Sequence, residues 1–114
     1  MERTTITMDG CGRVAIPSDA ANVWMNEMEL VKLFDVIAST FRAAIRAVYK
    51  SRVLKPCEAE RCIRLTNGYY TEVYSLSMVV ALAFRINTTN AARVRNALLE
   101  RLCLRKDRQV LWLS

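Results

Sequence analysis

The sequence predicts an α+β fold, winged helix-turn-helix-like, with about four helices and two β-hairpins. Three observations carry that expectation. Between Val23 and Arg52 a short apolar helix, a tight turn and a longer basic helix follow one another. Directly afterwards an Asn67-Gly68 pair separates two strand-like segments, where a wing would lie. Beyond it, Met78 to Phe84 is apolar on every side, as a buried central helix would be.

Taken in order, Thr4-Ile6-Met8 and Arg13-Val14-Ala15-Ile16 flank Asp9-Gly10-Cys11-Gly12 and read as a first hairpin. Loops of two and of four residues both fit it. Pro17 to Asn22 is a polar connection leading to Trp24, which anchors the chain against the core. Asn26 is placed to cap the first helix, with Glu29 three residues on completing a capping box. Met28, Leu30, Val31, Leu33 and Phe34 exceed one apolar stripe, so this helix is expected to be largely covered. Asp35 to Ala38 form the turn, and Ala38 or Ser39 opens the second helix.

In the second helix two faces separate. Phe41, Ile45 and Val48 recur at i, i+4 and i+7 and are expected inside. Arg42, Arg46 and Lys50 recur at i, i+4 and i+8 and form an outward cationic stripe. Arg52 to Glu60 is a connector. With Asn67-Gly68 as a two-residue turn, Leu65 faces Tyr70, so Ile63, Leu65, Tyr70 and Tyr74 point inward and Cys62, Arg64, Thr66, Tyr69 and Thr71 outward. Ser75 or Ser77 caps the central helix. Thr88 or Thr89 caps a last amphipathic helix, with Ala91, Val94, Leu98 and Leu102 on one side and Arg93, Arg95, Asn96 and Arg101 elsewhere. Val110 to Leu113 reads either as an edge strand or as an apolar surface for a partner. On this reading residues 1–22 are a hairpin and connector, 23–104 the winged helix-turn-helix-like domain and 105–114 a tail.

Composition narrows the function classes. A chain of 114 residues with 53% apolar content can bury its own core. No apolar run approaches the ~18 residues of a membrane span, and no signal-peptide core follows Met1, so a cytoplasmic protein is expected. The net charge of +6 is unevenly spread. Residues 42–64 carry seven Lys or Arg against Glu58 and Glu60, and residues 85–114 carry seven against Glu100 and Asp107, whereas residues 1–41 are net acidic. Two basic blocks suit a polyanion; solvated helix faces are the plainer alternative. Cys11, Cys57, Cys62 and Cys103 lack the paired spacing of zinc ligands and are expected as reduced, mostly buried thiols.

Two stretches, VWMNEMELVKLF from Val23 and VYSLSMVVALAFRINTTNAARVRNALLERL from Val73, carry a resemblance. In them, with Tyr74, Leu76, Met78, Arg85 and Asn87 as its most specific elements, the chain resembles the N-terminal region of the RhuM family of bacterial virulence-associated proteins. The resemblance spans about residues 20–104. It implies a DNA-binding-like helical domain, often encoded near mobile elements. The second helix departs from the family pattern, because Ile37, Ala38, Ala43 and Ala44 stand where polar residues are usual.

Two functions follow as expectations. In the first, a small winged-helix protein binds double-stranded DNA, with Ser39, Thr40 and Arg42 nearest the bases and Arg46, Lys50, Arg52 and Arg64 on phosphates. A homodimer, joined through Val110–Leu113, would double that footprint. In the second, the same shape is a protein-interaction module, favoured by apolar Ile37 and Ala38 and by the Trp112 tail. An enzyme is not expected: the chain has no histidine, no G-x-S-x-G and no Walker A loop. Neither a cofactor nor a metal is called for, and Glu27, Glu29 and Asp35 read as cap and solvated helix positions.

Overall fold

The computed structural model describes residues 3–113, with side chains through Cys103. The fold is α+β and winged-helix-like: among the described residues, five helices and two antiparallel sheets, of two and three strands.

β1 (Thr7–Met8) and β2 (Val14–Ala15) form the first hairpin, with Thr7 opposite Ala15 and Met8 opposite Val14. Its loop has neither two nor four residues but three. The Gly12 amide donates to Asp9 O at 3.1 Å, the Asp9 amide donates to Arg13 O at 3.0 Å, and Gly12 takes φ +82°. This is a type I turn closed by a left-handed residue. Asp9 Oδ1 accepts from the amides of Cys11 (2.8 Å) and Arg13 (2.9 Å). The Arg13 amide bond, foremost, holds that carboxyl below its ordinary range. The Arg93 guanidinium lies over Gly12, where any side chain would collide with it.

β3 (Trp24–Asn26) is a strand that periodicity does not announce. It pairs with the wing strand β5 (Tyr70–Ser75), with Trp24 opposite Ser75, Met25 opposite Tyr74 and Asn26 opposite Val73. On its other edge Thr4 accepts from the Trp24 amide at 3.2 Å and donates to Asn22 O at 2.8 Å. The N-terminal segment thereby joins the main body, and Ile6, 1% exposed, belongs to the common core.

α1 (Glu27–Phe34) has both halves of the expected capping box: Asn26 Oδ1 accepts from the Glu29 amide, and Glu29 Oε1 from the Asn26 amide, each at 2.9 Å. Leu30, Leu33 and Phe34 are buried, but Met28 is 81% exposed, so the helix is covered on one side only. Asp35 closes it in the left-handed conformation, φ 54° and ψ 57°, and the Val36 amide reaches back to Val31 O. α2 (Ala38–Lys50) then buries Phe41, Ala44, Ile45 and Val48. Phe41 meets the ring of Tyr74 edge-on, with centroids 5.7 Å apart.

A single helical turn, α3 (Pro56–Ala59), with proline at its first position, interrupts the connector. β4 (Glu60–Arg64) then pairs with β5 one residue away from the expected register: Arg64 faces Tyr70, Ile63 faces Thr71 and Arg61 faces Val73. The Gly68 amide donates to Leu65 O and the Leu65 amide to Tyr69 O, so residues 66–68 form another three-residue loop. A slip of one residue exchanges faces. Tyr70 is therefore exposed instead of inward, beside Arg64, and Thr71 is half-buried beside Ile63.

α4 (Leu76–Ala83), capped by Ser75, buries Met78, Val79, Leu82 and Ala83. Despite its uniform composition it is not buried all round, since Val80 and Ala81 are half-buried, and Phe84, just past its end, is 54% exposed. α5 (Thr89–Leu113) starts at Thr88, whose Oγ1 accepts from the Ala91 amide and donates to Phe34 O at 2.6 Å. Ala91 and Val94 are buried, but Leu102 is 62% exposed. Arg95, expected to face away, donates from Nη1 to Ala83 O and Ile86 O and so closes the end of α4. Val110–Leu113 continues α5 and is not an edge strand; its side chains lie outside the described residues. The four cysteines are free, as expected, but all are exposed instead of buried.

Candidate nucleic-acid interface

The candidate surface begins at the start of α2. Ile37 occupies the cap position with no side-chain hydrogen bond, and the first turn holds no acid. The first amides of a helix have no partner within it, so this end of α2 carries uncompensated partial positive charge. Ser39 and Thr40 are exposed in that turn, and Ile37 is 69% exposed beside them.

Arg42, Arg46 and Lys50 all lie on the exposed side of α2, across from Phe41, Ile45 and Val48. They are not electrically equivalent. Arg42 Nε donates to Glu27 Oε1 at 2.9 Å and Arg42 Nη2 donates to Glu27 Oε2 at 3.2 Å. These bonds raise the Arg42 pKa above its ordinary value, hydrogen bonding first and the carboxylate charge second. The expected stripe of three solvated cations is thus corrected to two, with Arg42 neutralised by the protein's own acid. Arg46 and Lys50 make no ion pair or side-chain hydrogen bond among the described residues. Lys50 stands in the last turn of α2, where a cation complements the helix dipole.

Arg52 lies one residue beyond the Ser51 cap of α2, exposed, with backbone φ +63°. Arg64 ends β4 and is exposed, directly across the ladder from Tyr70. Tyr69 and Tyr70 are 73% and 67% exposed, so the wing presents two aromatic rings and a cation near its tip. The chain therefore places Arg42, Arg46 and Lys50 on one helix, with Arg52 just beyond it, and Arg64 on the hairpin that follows.

Sequence reasoning misses two participants. Taking Asn67-Gly68 as a two-residue turn sends Tyr70 inward, where the structure exposes it. Glu27 reads as a solvated helix position, although an acid opening α1 across a tight turn from a basic helix is the available signal. Arg61 serves the scaffold instead, its guanidinium lying 4.6 Å from the Trp24 ring centroid in a cation–π contact between β4 and β3. Beneath the surface, burial first and the Glu60 charge second push the Tyr74 phenol up to about 12, while burial and a 2.8 Å hydrogen bond to Glu60 Oε2 push Tyr49 up as well. Among the described residues no helix is long and apolar enough to cross a membrane. Comparison with models of protein families, with curated proteins and with solved structures finds no match.

Proposed function

We propose that the protein is a small, non-catalytic, cytoplasmic DNA-binding regulator of the winged helix-turn-helix type, of the transcriptional or mobile-element-associated kind its RhuM-like stretches imply. The supporting observation is the exposed Arg46 and Lys50 on α2, unpaired among the described residues, with Arg52 following them and Arg64 on the hairpin after it. Cations without internal partners are available to displace counterions from phosphates. The uncapped start of α2 adds amide donors beside Ser39 and Thr40. Fluorescence anisotropy of a labelled random-sequence duplex at low ionic strength tests the reading: saturable binding supports it, and its absence at every protein concentration overturns it.

One observation favours an assembly surface as well. Leu76, Val80 and Phe84 on the α4 side and Leu98, Leu99 and Leu102 on α5 line an apolar groove of about 350 Å³. The occupant is a second copy of this chain. A two-fold pairing of copies would bring the exposed Leu99 and Leu102 of each against the groove of the other. Sedimentation equilibrium is expected to give a dimer that tolerates added salt and is dissociated by Leu99→Asp. A monomer at all concentrations overturns this assembly.

A further inference from the structure

We infer that Arg42 reads a guanine in the DNA and that Glu27 is the positioning residue that aims it. The inference rests on the DNA-binding reading above and deepens it. Arginine has five N–H donors in a planar fork. Glu27 takes the side of that fork, with one bond from Nε and one from Nη2. Left over are both donors of Nη1 and the second donor of Nη2; one from each nitrogen forms the end of the fork. That end matches the O6 and N7 acceptors that guanine presents in the major groove.

The surroundings agree with this use. The Arg42 side chain is 62% exposed, so the end of the fork is open to a ligand. Glu27 is the first residue of α1, where an anion is favoured by the helix dipole and its backbone is set by the Asn26 cap. A guanidinium held at two points has little rotamer freedom left to lose on meeting a base. Arg46, which has no such partner among the described residues, suits a phosphate, where direction matters less. The Glu27 carboxylate also repels neighbouring phosphates, which lowers binding to DNA in general and leaves the guanine contact to decide between sequences.

Selection from a randomised duplex library, followed by anisotropy titrations with the full chain, tests the assignment. Enriched sequences are expected to share a guanine whose replacement by adenine weakens binding about tenfold. Arg42→Ala and Arg42→Lys are each expected to reduce that discrimination to about twofold or less, because neither offers the bidentate fork. Glu27→Ala is expected to bind random DNA as tightly or more tightly while losing most of the guanine preference, a separation that mere damage to the fold would not produce. An enriched pool with no common guanine, or a preference untouched by Arg42→Ala, overturns the assignment and leaves DNA binding standing. So does a Glu27→Ala variant that tightens on every duplex with its preference intact, which would make the pair a lock. Failure to bind any duplex overturns the parent reading instead.

Discussion

Removing Arg46 and Lys50 together is the most direct challenge to a DNA-facing α2. Each phosphate neutralised on duplex DNA contributes about −0.9 to the slope of log K against log salt. Arg46, Lys50, Arg52 and Arg64 are exposed and make no ion pair among the described residues, whereas Arg42 is already matched by Glu27. Four contacts give a slope of about −3.6 per monomer, and the double substitution Arg46→Ala with Lys50→Ala halves it to about −1.8. Between roughly 50 and 200 mM salt the wild-type constant then falls ~150-fold and the variant's only ~12-fold.

Anisotropy titrations of one random-sequence duplex over that range measure both slopes. Arg101→Ala is the control, because Arg101 is spent on the carbonyls of Ile16 and Pro17, at 3.1 and 2.9 Å. It removes the same kind of charge from α5 and is expected to leave the slope unchanged. Phosphate contact through α2 is refuted if the double variant keeps the wild-type slope, since the contacts would then lie elsewhere. It is equally refuted if Arg101→Ala flattens the slope as much, since net charge alone would then account for binding.

Three further outcomes bear on the scaffold. Asn26→Ala removes the acceptor of the α1 capping box and is expected to cost about 1 kcal/mol in urea unfolding, with DNA affinity following only through stability. Asp35→Gly replaces a left-handed non-glycine residue and is expected to stabilise by about 0.5–1 kcal/mol; destabilisation in the same assay would show that the Asp35 side chain does more than tolerate the turn. Tyr74 is pushed up to about 12 in the fold against an ordinary 10.0, so its contribution to stability is full below pH 10 and is lost as pH rises from about 10 through 12. Tyr49 shifts in the same direction, so Tyr74→Phe with Tyr49→Phe is expected to flatten the alkaline limb of a pH–stability curve, and an unchanged limb would exclude both phenols as its source.

What is legible in the sequence is what neighbours along the chain decide. The Asn26–Glu29 box, the buried Phe41–Ile45–Val48 stripe and the α+β class all rest on interactions within a few residues. The hairpin registers are less legible for a local reason of another kind. A two-residue type I′ turn needs positive φ at both central residues. Here only Gly68 takes it, at +87°, while Asn67 keeps a negative φ and accepts the Tyr69 amide on Oδ1 at 3.0 Å. The first hairpin makes the same choice with Gly12. In each, one glycine at the third loop position sets the pairing, and a reading that credits the Asn-Gly pair as a unit misplaces Tyr70 and Thr71, while Tyr69 outside and Tyr74 inside stand as expected.

The candidate site is harder to read because β3 assembles it. Three residues, Trp24–Asn26, show no periodicity of their own and become a strand only by pairing with β5. That pairing has a consequence on each side. Through Asn26 opposite Val73 it fixes the wing strand beside the start of α1, and the next residue, Glu27, holds Arg42 of α2. Through Met25 opposite Tyr74 it seats the ring that meets Phe41, so α2 is held against the same strand from its buried side. Wing, turn and basic helix are therefore located by one short strand whose partner lies about fifty residues downstream. The charge state of the exposed helix face follows from that placement. Periodicity along α2 reports which residues point outward; the neighbour that β3 sets beside Arg42 decides which of them retain an uncompensated charge.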